Sequence, residues 1–322
     1  MAVYTRVSPE QLDDFVARYD IGRAVSLTGI AGGIENTNYF LRTDRDLYLL
    51  TIYEKRVNPA ELPFFLDLMT HLKKNGLTCP LPVCAKDGNA LQDLAGKKAC
   101  VTTFLSGQSV KKIKPEHCLA LGRAMAKMHA AGADFPMKRA NDLSVSGWEK
   151  LIAKIGGRAN EIADGLYDEL CYEFDDIASK WKTDLPTGVI HADLFPDNVF
   201  FTDSRLSGII DFYFACTDMY AYELAICLNA WCFEPRGWEL NATKSACLIA
   251  GYNQIRPLSD DEKHALPLLA RGSALRFLLT RTYDWLNRDP TALVTPKDPT
   301  EYLKKLRFHH GVKSFGEYGF FG

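Results

Sequence analysis

The sequence predicts an α+β protein in two unequal lobes, a small antiparallel β-sheet with one helix followed by a larger, mainly helical lobe. Three observations carry that expectation. Short β-branched and aromatic runs parted by turn residues fill the N-terminal third, helical periodicity takes over beyond Lys114-Pro115, and a hairpin-like unit around 199–210 interrupts it. At 322 residues the chain is also longer than a single hydrophobic core usually serves, so a division into lobes is physically reasonable.

Ser26 to Ile52 reads as β structure. Leu27 leads toward a turn at Gly32-Gly33, Tyr39-Phe40-Leu41 follows, and Thr43-Asp44-Arg45-Asp46 separates it from Tyr48 to Ile52. Asn58-Pro59 offers an N-cap and a first-turn proline, after which Leu62, Phe65, Leu66, Met69 and Leu72 recur at helical spacing until Gly76. Runs around Leu91 and from Lys98 to Phe104 continue the sheet, and Ser106-Gly107 breaks it. Cys118, Leu121, Met125 and Met128 then form one helical stripe, with Trp148 to Leu170 and Ala221 to Phe233 as further helices. The change of pattern divides the chain into 1–107 and 108–322, and a ligand is expected in a cleft between the two lobes.

Thirty-eight Lys and Arg against forty Asp and Glu leave a net charge of -2, so no global field favours a nucleic acid or an anionic membrane. The start carries Arg6, Glu10, Asp13 and Asp14 in place of a basic segment with an apolar run, which excludes a signal-peptide pattern. No apolar stretch is long enough to span a bilayer. Nine cysteines without a Cys-x-x-Cys pair match no zinc pattern and read as buried thiols in a reducing cytoplasm. His309 and His310, without acidic or cysteine neighbours, read as surface residues.

The informative segment runs from Val189 to Phe201 and on through Gly208-Ile209-Ile210-Asp211-Phe212. Asp193 and Asn198 are separated by four residues, and Asp211 follows a β-branched run. Phosphoryl transfer needs these groups: a carboxylate to accept the hydroxyl proton, here Asp193, and oxygen donors for magnesium on a triphosphate, here Asn198 and Asp211. Val199 to Phe201 and Gly208 to Ile210 are strand-like around a polar loop. A hairpin centred on Ser204 and Arg205 places position 198 opposite 211, so both donors meet at its open end. His191 reads as a hydrogen-bonding residue that shapes the loop, and Asp197 as a loop carboxylate. Asp218 reads as a helix N-cap, and Glu223 as part of a buried network supporting the loop.

His191-Ala192-Asp193-Leu194-Phe195-Pro196-Asp197-Asn198 resembles the signature loop of aminoglycoside phosphotransferases and choline kinases, and Ile209-Ile210-Asp211-Phe212 resembles their metal-binding strand end. Those enzymes have a protein-kinase-like bilobal fold. Within that superfamily, Gly33-Ile34-Glu35-Asn36-Thr37-Asn38-Tyr39-Phe40, Glu61 to Leu66, and Asp211 to Ala215 with Glu223-Leu224-Ala225 are similar to bacterial homoserine kinases. The resemblance spans nearly the whole chain. It implies ATP and Mg2+ as cofactors, L-homoserine as acceptor and O-phospho-L-homoserine, an intermediate of threonine biosynthesis, as product.

By the same likeness, Gly32, Gly33, Asn36, Thr37 and Asn38 belong to a loop over the nucleotide phosphates, where small residues let backbone N–H groups approach oxygen. Val101 to Leu105, with Thr103 and Phe104, would be a hinge offering backbone groups to adenine. Glu61 resembles the helix carboxylate that orients a strand cation. Related kinases usually carry Lys or Arg where Thr51 stands here; neutralising the inner phosphates then falls to another cation, with Lys55 and Arg56 as nearby candidates, or more heavily to magnesium, and that cation is left unassigned. A carboxylate-bearing acceptor calls for a bidentate donor, so Arg276 and Arg281 are its expected ligands, with Tyr283 and Trp231 as pocket walls. An aminoglycoside, choline or methylthioribose acceptor and a catalytically silent binding module are the competing readings. Monomer and homodimer are both left open.

Overall fold

Ser8 starts the first helix of the computed structural model, which describes residues 5–30, 36–54, 58–288 and 296–320. Its hydroxyl accepts from the backbone of Gln11 while the Gln11 side chain accepts from the backbone of Ser8, so α1 (Pro9–Val16) is closed by a capping box. The sequence reading had no helix here, although Leu12, Phe15 and Val16 are the buried stripe that defines it.

The chain divides into Met1–Ser106 and Gly107–Gly322. The first unit holds a five-stranded antiparallel sheet in the order β1-β2-β3-β5-β4. Its strands are β1 (Ala24–Gly29), β2 (Thr37–Thr43), β3 (Leu47–Ile52), β4 (Leu91–Leu94) and β5 (Lys97–Thr103). The period of two sorts their side chains. Tyr39, Leu50 and Val101 align across β2, β3 and β5, and with Leu41, Ile52 and Ala99 they form a core with Leu12, Phe15 and Val16 of α1. Truncating one such side chain to alanine costs about 2–5 kcal/mol. The opposite pleat aligns Asn38 with Thr51 and Cys100, and Phe40 with Leu49 and Thr102. Asn58 caps a 3-10 turn at Pro59–Glu61, which runs into α2 (Leu62–Lys74) with Leu62, Phe65, Leu66, Met69 and Leu72 buried.

The second unit is largely helical: α3 (Pro115–Ala131), α4 (Val145–Ile155), α5 (Leu166–Lys180), α6 (Tyr220–Trp231), α7 (Ala242–Asn253), α8 (Asp260–Leu286) and α9 (Thr300–Gly311). Helix α8 is its axis and packs against α4, α5, α6 and α9. Helices α3 and α7 cross closely because Gly122 and Gly251 lie at the contact: a Cβ on either would stand 2.2 Å from a backbone carbonyl of the facing helix. Between α5 and α6 lie two small ladders, β6 (Thr187–Ile190) with β9 (Cys216–Met219), and β7 (Val199–Thr202) with β8 (Arg205–Ile209). No described helix is long and apolar enough to cross a membrane.

Several local expectations are corrected. Trp148 to Leu170 is not one helix, because α4 ends at Gly156 and α5 begins after Gly165, both at positive φ. Asp218 does not cap α6; Met219 holds that position, and Asp218 lies in β9. His309 is buried, with its ring nitrogens meeting Tyr318 Oη at 2.9 Å and Asn229 Oδ1 at 3.1 Å, because the C-terminal turn and α6 cover the end of α9. All nine cysteines are free, but Cys84 is exposed and Cys171 and Cys247 are only partly covered.

Candidate active site

The site begins where β6 ends. His191 to Asn198 form a tight loop held together by hydrogen bonds to its own backbone. Phe195 N donates to Asp193 O at 2.8 Å and Asn198 N to Phe195 O at 3.0 Å. Below it, Trp231 Nε1 donates to Leu194 O at 2.7 Å. The fully buried Glu223 of α6 accepts from the backbone N–H groups of both His191 and Ala192. Ala192 sits at φ 62°, a costly region for a residue with a Cβ. Two backbone donors aimed at one carboxylate hold it there.

His191 does structural work. Asp193 N donates to His191 Nδ1 at 3.3 Å, so the ring proton lies on Nε2, which reaches Ile210 O at 2.9 Å. Burial keeps this imidazole below its ordinary pKa, which suits the neutral tautomer. The ring therefore staples the loop to the strand that carries Asp211.

The hairpin itself is offset from its expected register. Thr202 pairs with Arg205 at the tip, and a bulge between Phe200 and Phe201 brings Val199 opposite Ile209. Asn198 is consequently opposite Ile210, whose N–H donates to Asn198 O at 3.0 Å. Asp211 lies one residue beyond and leaves the ladder at φ 64°, which turns the chain into a 3-10 turn at Phe212–Phe214. The open end still carries both oxygen donors.

Asn198 Nδ2 donates to Asp193 O at 2.9 Å and to Asp193 Oδ2 at 3.0 Å. The amide nitrogen is spent on Asp193, so the amide oxygen is the atom left for a metal. One amide oxygen and the Asp211 carboxylate are a donor set that fits Mg2+, which completes its shell with phosphate and water. Burial pushes the Asp193 carboxyl up to about 8; the Arg276 guanidinium opposes that rise, and the carboxylates of Asp211 and Asp197 reinforce it. Asp197 is exposed and pairs with Lys297 at 3.3 Å.

Gly32 and Gly33 lie outside the described residues, as do Lys55 and Arg56. Asn36 Oδ1 accepts from Glu54 N at 3.3 Å, and the fully buried Thr37 donates to Glu54 Oε1 at 2.8 Å, so both tie down the base of β2. Thr51 donates to Asn38 Oδ1 at 2.8 Å, a neutral bond between β3 and β2. Glu61 accepts from Asn58 Nδ2 at 3.4 Å. Thr103 Oγ1 accepts from Leu81 N, while Phe104 is exposed and meets Phe40 edge-on at 6.0 Å.

Of the four expected acceptor residues, three have other duties. Arg281 pairs with Glu301 at 2.6 Å, Tyr283 faces Lys154, and Trp231 is buried under Leu194 rather than lining a pocket. Arg276 differs: it is buried, yet its Nε and Nη1 have no hydrogen-bond partner among the described residues. The hydroxyls of Tyr222 and Tyr302 are likewise unpartnered, and no sequence pattern singled either of them out.

Comparison with known proteins places this geometry in context. The model of the family described as "Phosphotransferase enzyme family" matches residues 26–258. The chain is 58% identical over 325 residues to the homoserine kinase of Paramagnetospirillum magneticum, covering 99% of each. It is 57% identical over 319 residues to the homoserine kinase of Xanthobacter autotrophicus, again covering 99% of each. Among solved structures it is similar to an amicoumacin kinase, at TM-score 0.71 and 17% identity over 94% of this chain and 92% of that one. A spectinomycin phosphotransferase matches at TM-score 0.68 and 14% identity over 98% of both. At those identities the structural likeness is one of fold.

Proposed function

Because the chain belongs to the phosphotransferase enzyme family, and within it to the homoserine kinases, we propose that it transfers the γ-phosphoryl group of ATP to the hydroxyl of L-homoserine, giving O-phospho-L-homoserine. The observation that carries this reading is the joining of Asp193 to Asn198 beside Asp211 at the open end of one hairpin.

Transfer is direct and in line, and the protein's part is to position and to handle one proton. Asn198 restrains one oxygen of Asp193; with the ionised form favoured by Arg276 and by the Mg2+ that Asn198 and Asp211 would hold, the other oxygen aligns the acceptor hydroxyl and takes its proton late in the reaction. Asn198 and Asp211 would hold Mg2+, which when bound offsets charge on the phosphates. The left-handed turn at Ala192 and the two bonds to Glu223 keep the loop from relaxing between turnovers. A cytoplasmic setting suits nine free thiols.

The test is a coupled ADP-release assay with Mg-ATP and, in turn, L-homoserine, choline, an aminoglycoside and no acceptor. ADP release should depend on L-homoserine. Release that is the same without any acceptor, or that follows another alcohol, rejects the reading.

A further inference from the structure

Arg271, Arg276 and Arg281 follow one another along α8. Arg271 is paired with Glu173 and Asp176, and Arg281 with Glu301. Among the described residues Arg276, between them and 1% exposed, has no such partner, and its Nε and Nη1 are unmet. A guanidinium cannot shed its charge at physiological pH, so burying it without an anion is a standing cost. Its surroundings show where the missing anion belongs.

The Arg276 Cζ stands 4.6 Å from the centre of the Phe277 ring, which meets Phe195 of the catalytic loop edge-on at 4.9 Å. The Tyr222 hydroxyl of α6 lies against the guanidinium without completing a well-formed hydrogen bond to it. The charge of Arg276 is felt at the carboxyls of both Asp193 and Asp218. Asp218 itself lies in β9 opposite Gly188 of β6, the strand that leads into the catalytic loop. Its Oδ2 accepts from Asn141 Nδ2 and its Oδ1 from Met219 N, both at 2.7 Å, so each oxygen keeps a lone pair. Both of its donors are neutral, and among the described residues no cation forms an ion pair with it.

A half-covered carboxylate and a buried guanidinium thus feel each other's charge without forming a hydrogen-bonded ion pair. A zwitterion with both charges on one carbon supplies the two missing partners at once. Resting on the homoserine-kinase reading, we infer that Arg276 and the Tyr222 hydroxyl hold the acceptor's α-carboxylate while Asp218 holds its α-ammonium, so that the site selects an α-amino acid over a simple amino alcohol. The planar guanidinium gives the carboxylate a two-point grip, and an acceptor without one leaves the buried charge unpaired.

The experiment compares kcat/KM for L-homoserine, for 3-aminopropan-1-ol, which lacks the carboxylate, and for 4-hydroxybutanoate, which lacks the ammonium. Wild-type enzyme should favour L-homoserine over each by about a hundredfold or more. Arg276→Gln should collapse the preference over 3-aminopropan-1-ol, and Asp218→Asn the preference over 4-hydroxybutanoate, in both cases chiefly through KM. Tyr222→Phe should lower kcat/KM for L-homoserine about tenfold. Circular dichroism and ATP affinity report whether each variant folds; if Arg276→Gln does not, Arg276→Lys and Tyr222→Phe carry the test. Selectivity ratios that stay at the wild-type value in folded variants overturn the assignment, as does a wild type indifferent to the carboxylate. If wild type consumes no L-homoserine, the homoserine-kinase reading itself falls; if it does and the ratios stand, only the present inference does.

Discussion

The side-chain amide of Asn198 bonds both the backbone carbonyl and the carboxylate of Asp193, at 2.9 Å and 3.0 Å. One residue thereby restrains the direction of the Asp193 carboxyl and leaves its own amide oxygen as the atom for the proposed metal. The two roles are separable by mutation.

Asp193→Asn removes the proton acceptor and keeps the shape. Turnover should fall by about two to four orders of magnitude, the range for a positioned base, while ATP affinity is retained. Steady-state kinetics with an independent nucleotide-binding measurement decides it, and wild-type turnover in this variant rejects the role.

Asn198→Ala should lower kcat and also raise the Mg2+ concentration needed for half-maximal rate, by about tenfold. A magnesium titration at saturating ATP reads both. A reduced kcat with an unaltered magnesium requirement would mean that Asn198 only orients Asp193.

Glu223→Ala strips the acceptor from two buried backbone N–H groups, at a cost of about 1–3 kcal/mol for each. The urea midpoint should drop and kcat should fall with it, because Ala192 loses its restraint. Glu223→Gln, which keeps one oxygen, should recover part of both. If Glu223→Ala unfolds at the wild-type midpoint, these bonds do not hold the loop.

Burial, aided by the nearby charge of Lys305, holds the His309 imidazole down to about 3 in the fold, against about 6.5 in an unfolded chain. Between those values the unfolded state binds the extra proton, so the stability from a neutral His309 is complete above about pH 6.5 and declines as pH falls toward 3. From pH 7.5 to 5.5 this one group should cost about 1.4 kcal/mol. Urea unfolding at both values should show a smaller loss for His309→Gln than for wild type; equal losses would assign the acid sensitivity to other groups.

Much of the fold was legible because periodicity is local. Tyr39, Leu50 and Val101 alternate into the core as strand residues must, and Cys118, Leu121, Met125 and Met128 all lie on the buried stripe of α3. The failures share a cause. The turns at Gly156 and Gly165, the buried site of His309 and the bulge at Phe200 and Phe201 depend on what packs against each segment.

The sequence by itself determined the candidate site: an acid, an amide and a second acid at spacings that one loop and one hairpin bring to a common end. Those residues are close in the chain, so local backbone geometry suffices to assemble them. Tertiary structure alone decided which of three arginines on one helix is left without a carboxylate partner among the described residues. Arg271, Arg276 and Arg281 look alike along α8, and only the carboxylates brought by α5 and α9 satisfy the first and the last, leaving Arg276 buried and unmet. Charge pairing between distant elements has no period, so no pattern in the chain could have announced it.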